Sequence, residues 1–363
     1  VESITIEQAV DVLQATLEDI KKNSCPLTYL YSSYKLFNSL WKDRVKSEGG
    51  DKIERFITLR DEGNAKHQGN WEKDTHNVIN TDENIVVQWR RASTNFSYNM
   101  IEMDMNKGDA QIYNKVQNKY NNTLREVVDM IYNGALSTPA SSSDKHHPEG
   151  LPAWLSLGTE GSTGGWTAYS ARYNDGSTPG GTYNSGTVAC SSSNNPRWAA
   201  WYADHDGNID DSLLVLLDRA CRKLAFEGPV FPEKLPEPTF KFSLYSNDTI
   251  IGSLNLLYAK SDDQMGYRVA SHFGYPNFKG IPFVYVDQLD SANVSLYGTD
   301  PIYGINHELI YPVVLNNWDF KIGKPRPRDE QHVVLTVDVD VVYNYICENR
   351  RRAGFLISEH PGS

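Results

Sequence analysis

The sequence predicts an α+β fold, and three stretches carry that prediction. Residues 109–134 repeat apolar side chains at helical spacing. HVVLTVDVDVVYNYI (332–346) alternates valines with a period of two. Between 51 and 104, KIERFITLR (52–60) and IVVQWRRASTNFSYNMIEM (85–103) are β-branched, aromatic runs on either side of a long polar one.

From the start of the chain, Thr5-Ile6-Glu7-Gln8 reads as a capping box, with Thr5 as N-cap and Gln8 answering it three residues on. Ile6, Val10, Leu13, Leu17 and Ile20 then mark an amphipathic helix. Pro26 interrupts it, and an aromatic-rich helical pattern follows over 27–46, ended by Gly49 and Gly50. Residues 51–104 read as a long two-stranded excursion with too few core side chains to be stable alone, since an isolated hairpin is marginal in water. It must lie on something else. Asp109 caps the longest helix, with Ile112, Val116, Tyr120, Leu124, Val127 and Ile131 on one stripe and Gly134 as the stop.

Residues 135–200 are rich in Ser, Gly, Asn and Thr, as in STPASSSDKHHPEG (137–150). Interleaved Trp154, Trp166, Tyr169, Tyr173, Trp198, Trp201 and Tyr202 argue for an ordered, packed loop. ADHDGNIDDS (203–212) alternates oxygen-bearing side chains like a calcium loop. Its glycine is misplaced, however, and Val215 stands where a bidentate Glu is needed. Asp210, Asp211 and Ser212 instead start a helix whose apolar residues fall at 213, 216, 217, 220, 221 and 224, with Gly228 as its stop. Short strands follow at about 238–245, 282–287 and 309–315, with a helical pattern near 247–260.

Composition narrows the function classes. The 363 residues suffice for two or three domains or one elaborated one, and 39% hydrophobic and 11% aromatic content can fill a core. Nothing approaches the ~18 consecutive apolar residues of a membrane span. VESITIEQAV lacks the pattern of a secretory signal. A net charge of -11 gives no overall pull toward nucleic acid. Cys25, Cys190, Cys221 and Cys347 form no CxxC pair, so neither a zinc site nor a redox motif is readable.

Each candidate for chemistry has a plainer explanation. Gly323-Lys324 is followed by Pro and is no phosphate loop, and GTEGSTGGW (158–166) follows no convincing strand. His146-His147 lacks the convergent ligands a metal needs, so solvent exposure explains it. His307-Glu308 has no acid-base partner. Asp338 and Asp340 fit the solvent face of a half-buried strand, and Arg350-Arg351-Arg352 a solvated run. Neither a catalytic constellation nor a cofactor or metal site is expected. The composite suggests a protein made to contact other proteins.

The order of parts then matters. GGDKIERFITLRDEGN (49–64), NIVVQWRRASTNFSYNMIEM (84–103), NGALSTPASSSDKHHPEGLPAWL (133–155) and YGINHELIYPVVLNNW (303–318) resemble, in wording and sequence, the major capsid proteins of tailed double-stranded-DNA bacteriophages, the Hong Kong 97-type fold. The likeness covers most of the chain, as textures rather than invariant signatures. It implies an N-terminal arm (1–50), an E-loop (51–104), a P-domain spine helix (105–145), an A-domain (146–330) and a closing P-domain strand with the C-terminus (331–363). It also implies a non-enzymatic subunit that self-assembles, as pentamers and hexamers, into an icosahedral head around double-stranded DNA, with no sequence-specific binding. Scaffold, portal and decoration proteins are the implied partners. The implied location is the virion, assembled in the host bacterial cytoplasm.

Trp71, Arg90, Arg91, Trp166, Arg350 and Arg351 are the expected intersubunit contacts, with Arg90 and Arg91 suited to acidic partners. Some members of that family cross-link an E-loop lysine to a P-domain asparagine. Lys66 and Lys73 lie in the right excursion, but no asparagine or glutamate matches, so that chemistry is not carried over. No long scaffolding segment precedes residue 1, so a separate scaffold or a removed segment is expected. The competing expectation is a carbohydrate-binding or carbohydrate-acting protein using the aromatic 154–202 region. A metal enzyme built on 204–210 and His146-His147 ranks last.

Overall fold

The computed structural model describes residues 35–59, 63–71, 80–101, 109–141, 143–167, 188, 196–207, 209–225, 241–265, 276–290, 294–328 and 331–360. The helix expected at 5–20, together with Tyr169, Tyr173, Lys73 and Gly228, lies outside the described residues.

Helix α1 (Lys35–Lys42) buries Leu36, Phe37, Leu40 and Trp41 on one side. It is shorter than the 27–46 pattern suggests, because by β1 (Val45–Ser47) the chain has become extended and runs parallel to residues 313–315. Strands β2 (Lys52–Thr58) and β3 (Asp82–Gln88) form an antiparallel pair, from Lys52 opposite Gln88 to Thr58 opposite Asp82. The expected two-stranded excursion is corrected here. The return run breaks at Trp89, whose indole N–H donates to the Gly50 carbonyl at 2.9 Å. Beyond it, β4 (Arg90–Asn99) leaves the hairpin for the body of the molecule. The base of the hairpin also packs on its own chain, since Ile53, Ile85 and Val87 join the main core.

Helix α2 (Asp109–Ala135) is the expected rod of 27 residues, roughly 40 Å long at 1.5 Å per residue. Val116, Tyr120, Leu124, Val127, Val128 and Ile131 are buried. Gly134 lies within its last turn rather than ending it. A Cβ there would sit 2.8 Å from Pro148 and 2.9 Å from the Tyr343 hydroxyl, so close packing, not termination, requires the glycine. Next come α3 (Leu151–Trp154), β5 (Gly165–Thr167), β6 (Ala200–Asp204) and α4 (Asp211–Leu224). Asp210 caps α4 by accepting from the Ser212 amide at 2.8 Å, and the helix stops at Ala225, which takes a left-handed conformation.

The remaining elements are β7 (Phe242–Ser246), α5 (Asp248–Met265), β8 (Asn277–Phe278), β9 (Ile281–Tyr285), α6 (Val294–Tyr297), β10 (Thr299–Asn306), β11 (Ile310–Leu315), β12 (Lys321–Ile322), β13 (Arg326–Arg328), β14 (Gln331–Cys347), α7 (Arg350–Ala353) and β15 (Gly354–Glu359). Two larger sheets organise them. In the first, the 17-residue β14 is the axis. Along one edge it pairs with β4, from Val334 opposite Asn99 to Tyr343 opposite Arg90. Along the other it meets β11, β12 and β13 in succession, and β1 extends the sheet beyond β11. The second sheet has the order β5-β6-β15-β10-β7-β9-β8.

Period-two burial explains β14: Leu335, Val337, Val339 and Val341 are fully buried, and α1 and α2 contribute to the same core. Helices α4 and α5 supply Leu213, Leu217, Ile250 and Leu254 to a second cluster with Leu244, Phe283, Ile302 and Phe355 of the second sheet. Gly304 lies opposite Phe355 in that sheet, where any Cβ would overlap the Phe355 ring. The sheets do not respect the boundary expected at 330. Strands β11–β13 share a sheet with β14, while β15 returns to the other sheet. The 303–318 stretch likewise divides, β10 to the second sheet and β11 to the first.

Candidate interaction surface

Most of the candidates for chemistry are held by a structural partner. Asp204 accepts from the amides of Gly161 at 2.6 Å and His360 at 3.0 Å, so it does not converge with Asp210 on an ion. His147 Nδ1 lies 2.6 Å from Asp144. Partial burial pushes the Asp144 carboxyl up, but the amides of Ala140, His146 and His147 and the His147 ring outweigh it and hold it well below the usual carboxylate range. Asp144 therefore ties a turn together. Among the described residues, no group of three or more His, Cys, Asp or Glu could hold a metal.

His307 is fully enclosed, with Nε2 2.9 Å from the Tyr245 hydroxyl, and burial pushes its pKa down to about 4. Glu308 pairs with Lys241 at 2.8 Å. Asp338 pairs with Arg326 and Asp340 with Arg91, each at 2.7 Å. The Asp340 side chain is 11% exposed, so it does not face solvent as expected. Burial pushes the Cys221 and Cys347 thiols up to about 11 and about 12, away from nucleophilic use.

The expected contact residues separate into inward and outward groups. Arg350 is 0% exposed, which corrects its assignment to a solvated run and to an intersubunit contact. Its guanidinium donates to the Trp154 carbonyl at 2.5 Å, the Trp198 carbonyl at 3.3 Å and Ser156 Oγ at 2.9 Å. Helix α7 is thereby pinned to the end of α3, which carries Trp154, and to the 3-10 turn 196–198, which carries Trp198. Arg90 donates to the carbonyls of His147 at 3.0 Å and Asp144 at 3.1 Å, and Arg91 is engaged by Asp340 and sits over the Trp318 ring. Both thus have partners in their own chain, while the Arg91 side chain stays 58% exposed. A long-range pairing such as β4 with β14 leaves no local trace in sequence, so these partners were not readable.

Trp71 is 98% exposed, on the segment that joins β2 to β3. Phe56, which sequence reading passed over, is 81% exposed on β2. The alternating pattern Ile53, Arg55, Ile57 against Glu54 and Phe56 could have shown it. Arg351 lies 4.3 Å from the centre of the Trp166 ring, within cation–π range, so these two expected contact residues come together. They border a cleft of about 700 Å³ between the outer end of β2 and the 348–352 turn. Arg197, Lys223 and Arg352 complete a cationic lining against the single carboxylate of Glu348.

Among the described residues of the aromatic 154–202 region, no open platform for a sugar is formed. Trp154, Trp198, Trp201 and Tyr202 are each at most 1% exposed, inside the core. Among the described aromatics of that region, Trp166 is the one at the surface.

Comparison with known proteins places the fold. No family model matches the chain, and no curated protein does. Among solved structures, it is similar to a chain of the cyanophage A-1(L) capsid asymmetric unit, with a TM-score of 0.57 at 14% identity, over 90% of this chain and 92% of that one. It is also similar to a chain of the capsid of a native GTA particle, with a TM-score of 0.51 at 10% identity, over 90% and 91% of the two chains. At such identities the likeness is one of fold, and it extends over nearly the full length on both sides.

Proposed function

We propose that the chain is the major capsid subunit of a tailed bacteriophage, a structural protein that assembles with copies of itself into the shell of the virion. The observation that carries this reading is the fold shared over about nine-tenths of the chain with two capsid subunits. The exposed hairpin supports it. Phe56 and Trp71 project from a two-stranded element that has little body of its own, and large aromatics on a protruding element are suited to burial against a neighbour. The residues 51–99 then correspond to the E-loop and its return, and α2 to the spine helix. Head-to-tail contacts that close generate rings, and five- and six-membered rings are the units from which an icosahedral shell is built.

The acidic balance fits a shell that confines double-stranded DNA without gripping it, because tight phosphate binding needs clustered cations over a broad face. Scaffold and portal proteins complete the proposed partner set, and assembly takes place in the bacterial cytoplasm. No catalytic role is proposed.

The test is negative-stain electron microscopy of the purified chain beside its sedimentation profile, with and without a scaffold-bearing lysate. Rings, tubes or closed shells are expected. A chain that stays monomeric or dimeric at high concentration under both conditions would overturn the reading.

A further inference from the structure

The cleft beside Trp166 carries positive charge that the chain itself does not neutralise. Arg197, Lys223, Arg351 and Arg352 face it against one carboxylate, in a protein whose net charge is -11. That carboxylate, Glu348, already accepts from the Tyr311 hydroxyl and lies 3.6 Å from Arg55. Among the described residues, Lys223, Arg351 and Arg352 have no carboxylate partner. Lys223 comes from the last turn of α4 and the two arginines from α7, so the fold, not one run of sequence, gathers the charge. The arginines are also presented from a fixed backbone. Buried Arg350 ties α7 down through the Trp154 and Trp198 carbonyls, and Arg351 lies 4.3 Å from the centre of the Trp166 ring. That stack orders the Arg351 guanidinium before anything binds.

We infer that this cleft binds a multiply charged phosphate ligand, either a free polyphosphate or the phosphodiester run of a nucleic acid strand. The inference concerns one confined site and stands apart from self-assembly. A guanidinium fork donates two parallel N–H bonds to a phosphate, and a lysine beside it adds a point charge with further donors. A lone carboxylate brings one charge and two oxygens, too little to satisfy three open cations. A chain of phosphates brings charge and acceptor oxygens at every step, and so matches cations gathered from separate elements. The cleft, at about 700 Å³, falls within the roughly 300–1,000 Å³ of small-ligand sites. The acidic chain as a whole gives such a ligand no long-range attraction, so binding rests on the local cluster and weakens as salt rises.

The test compares the unassembled, unsubstituted chain with a cleft variant, Arg351→Gln with Arg352→Gln, and a control variant, Lys52→Gln with Lys324→Gln. The control removes the same charge from exposed positions outside the cleft lining. Lys223→Gln, on a different element, repeats the cleft substitution independently, and unfolding curves check that every variant folds. Sodium tripolyphosphate is titrated by calorimetry and a labelled single-stranded oligonucleotide by fluorescence anisotropy, both at low salt. The cleft variant is expected to bind about tenfold more weakly or worse, and Lys223→Gln more weakly to a smaller degree, while the control binds as the unsubstituted chain does. A loss seen with tripolyphosphate alone identifies a free polyphosphate as the ligand. A loss seen with the oligonucleotide alone identifies a strand, and the log–log salt slope should then fall by about 0.7 for each phosphate contact removed. An unsubstituted chain that binds neither probe would overturn the inference. So would equal losses in the cleft and control variants, which would trace binding to overall charge. A poly-glutamate peptide of matched charge that binds more tightly than both phosphate probes would also overturn it, and would give the cleft to an acidic protein segment. None of these readouts involves assembly, so failure here leaves the capsid reading standing.

Discussion

Replacing Arg350 by Met removes a fully buried cation while retaining most of its stem. Three acceptors lose their donor: the carbonyls of Trp154 and Trp198 and the Ser156 hydroxyl. Each buried acceptor left dry costs about 1–3 kcal/mol. Against this, removing a charge from the interior relieves a desolvation penalty of several kcal/mol, which offsets part of the loss. The net expectation is a destabilisation of about 3 kcal/mol. The neighbouring Arg351→Met substitution removes a half-exposed cation from the face of Trp166 and is expected to cost only about 0.5–1 kcal/mol. The comparison is made by urea unfolding of the unassembled chain at neutral pH, followed by tryptophan fluorescence. With a denaturant slope of about 3 kcal/mol/M, the Arg350 variant should lose roughly 1 M in midpoint and the Arg351 variant a third of that or less. If the two midpoints coincide, the reasoning that Arg350 is an internal fastener and Arg351 a surface group is wrong.

Val127 is 0% exposed at the middle of the α2 stripe, so Val127→Asp buries an unpaired charge. It should abolish cooperative unfolding by circular dichroism, and a normal transition would contradict the packing. His307 has a folded pKa pushed down to about 4, below the ~6.5 of an unfolded chain. The unfolded state therefore binds the proton first as acid is added, and stability is lost between about pH 6.5 and pH 4, by about 3 kcal/mol if the shift is fully expressed. His307→Gln should flatten that part of the stability profile, and an unchanged slope would assign it to other groups. Finally, exchanging 61–80 for a short Gly-Ser turn should preserve the monomer's unfolding transition, since Leu59 and Thr81 already meet through a 3.1 Å backbone hydrogen bond, while sedimentation shows impaired assembly. Loss of the monomer's own transition would mean that the segment belongs to the fold.

Elements governed by near neighbours were legible in sequence. The α2 stripe, the β14 alternation and the Asp210 cap all depend on residues a few positions apart, and all three formed where expected. What could not be read was convergence from far along the chain. Nothing local in Arg90-Arg91 announces that β4 will cross to β14, although that crossing commits both arginines to partners in their own chain. Three consecutive arginines read as a uniform run. The tight turn between β14 and β15 instead drives the first into the core and leaves the next two at the cleft. The cationic cleft is assembled from residues 57–59, 166, 197, 198, 223, 348, 349, 351 and 352, so no single window of sequence contains it.

Strands β14 and β15 are consecutive in the chain but belong to different sheets, joined by the short link 348–353 that includes α7. A pull that separates the two sheets therefore loads that short link, together with the 307–309 connection between β10 and β11. On one side it meets β14 along its length, where the hydrogen bonds to β4 are loaded together in shear and cannot open one at a time. On the other side it meets β15, clasped between β6 and β10. Arg350 bolts the link itself to the end of α3 and to the 196–198 turn. Tension between the two sheets is thus carried by covalent backbone and by strands paired along their length rather than by a peelable interface.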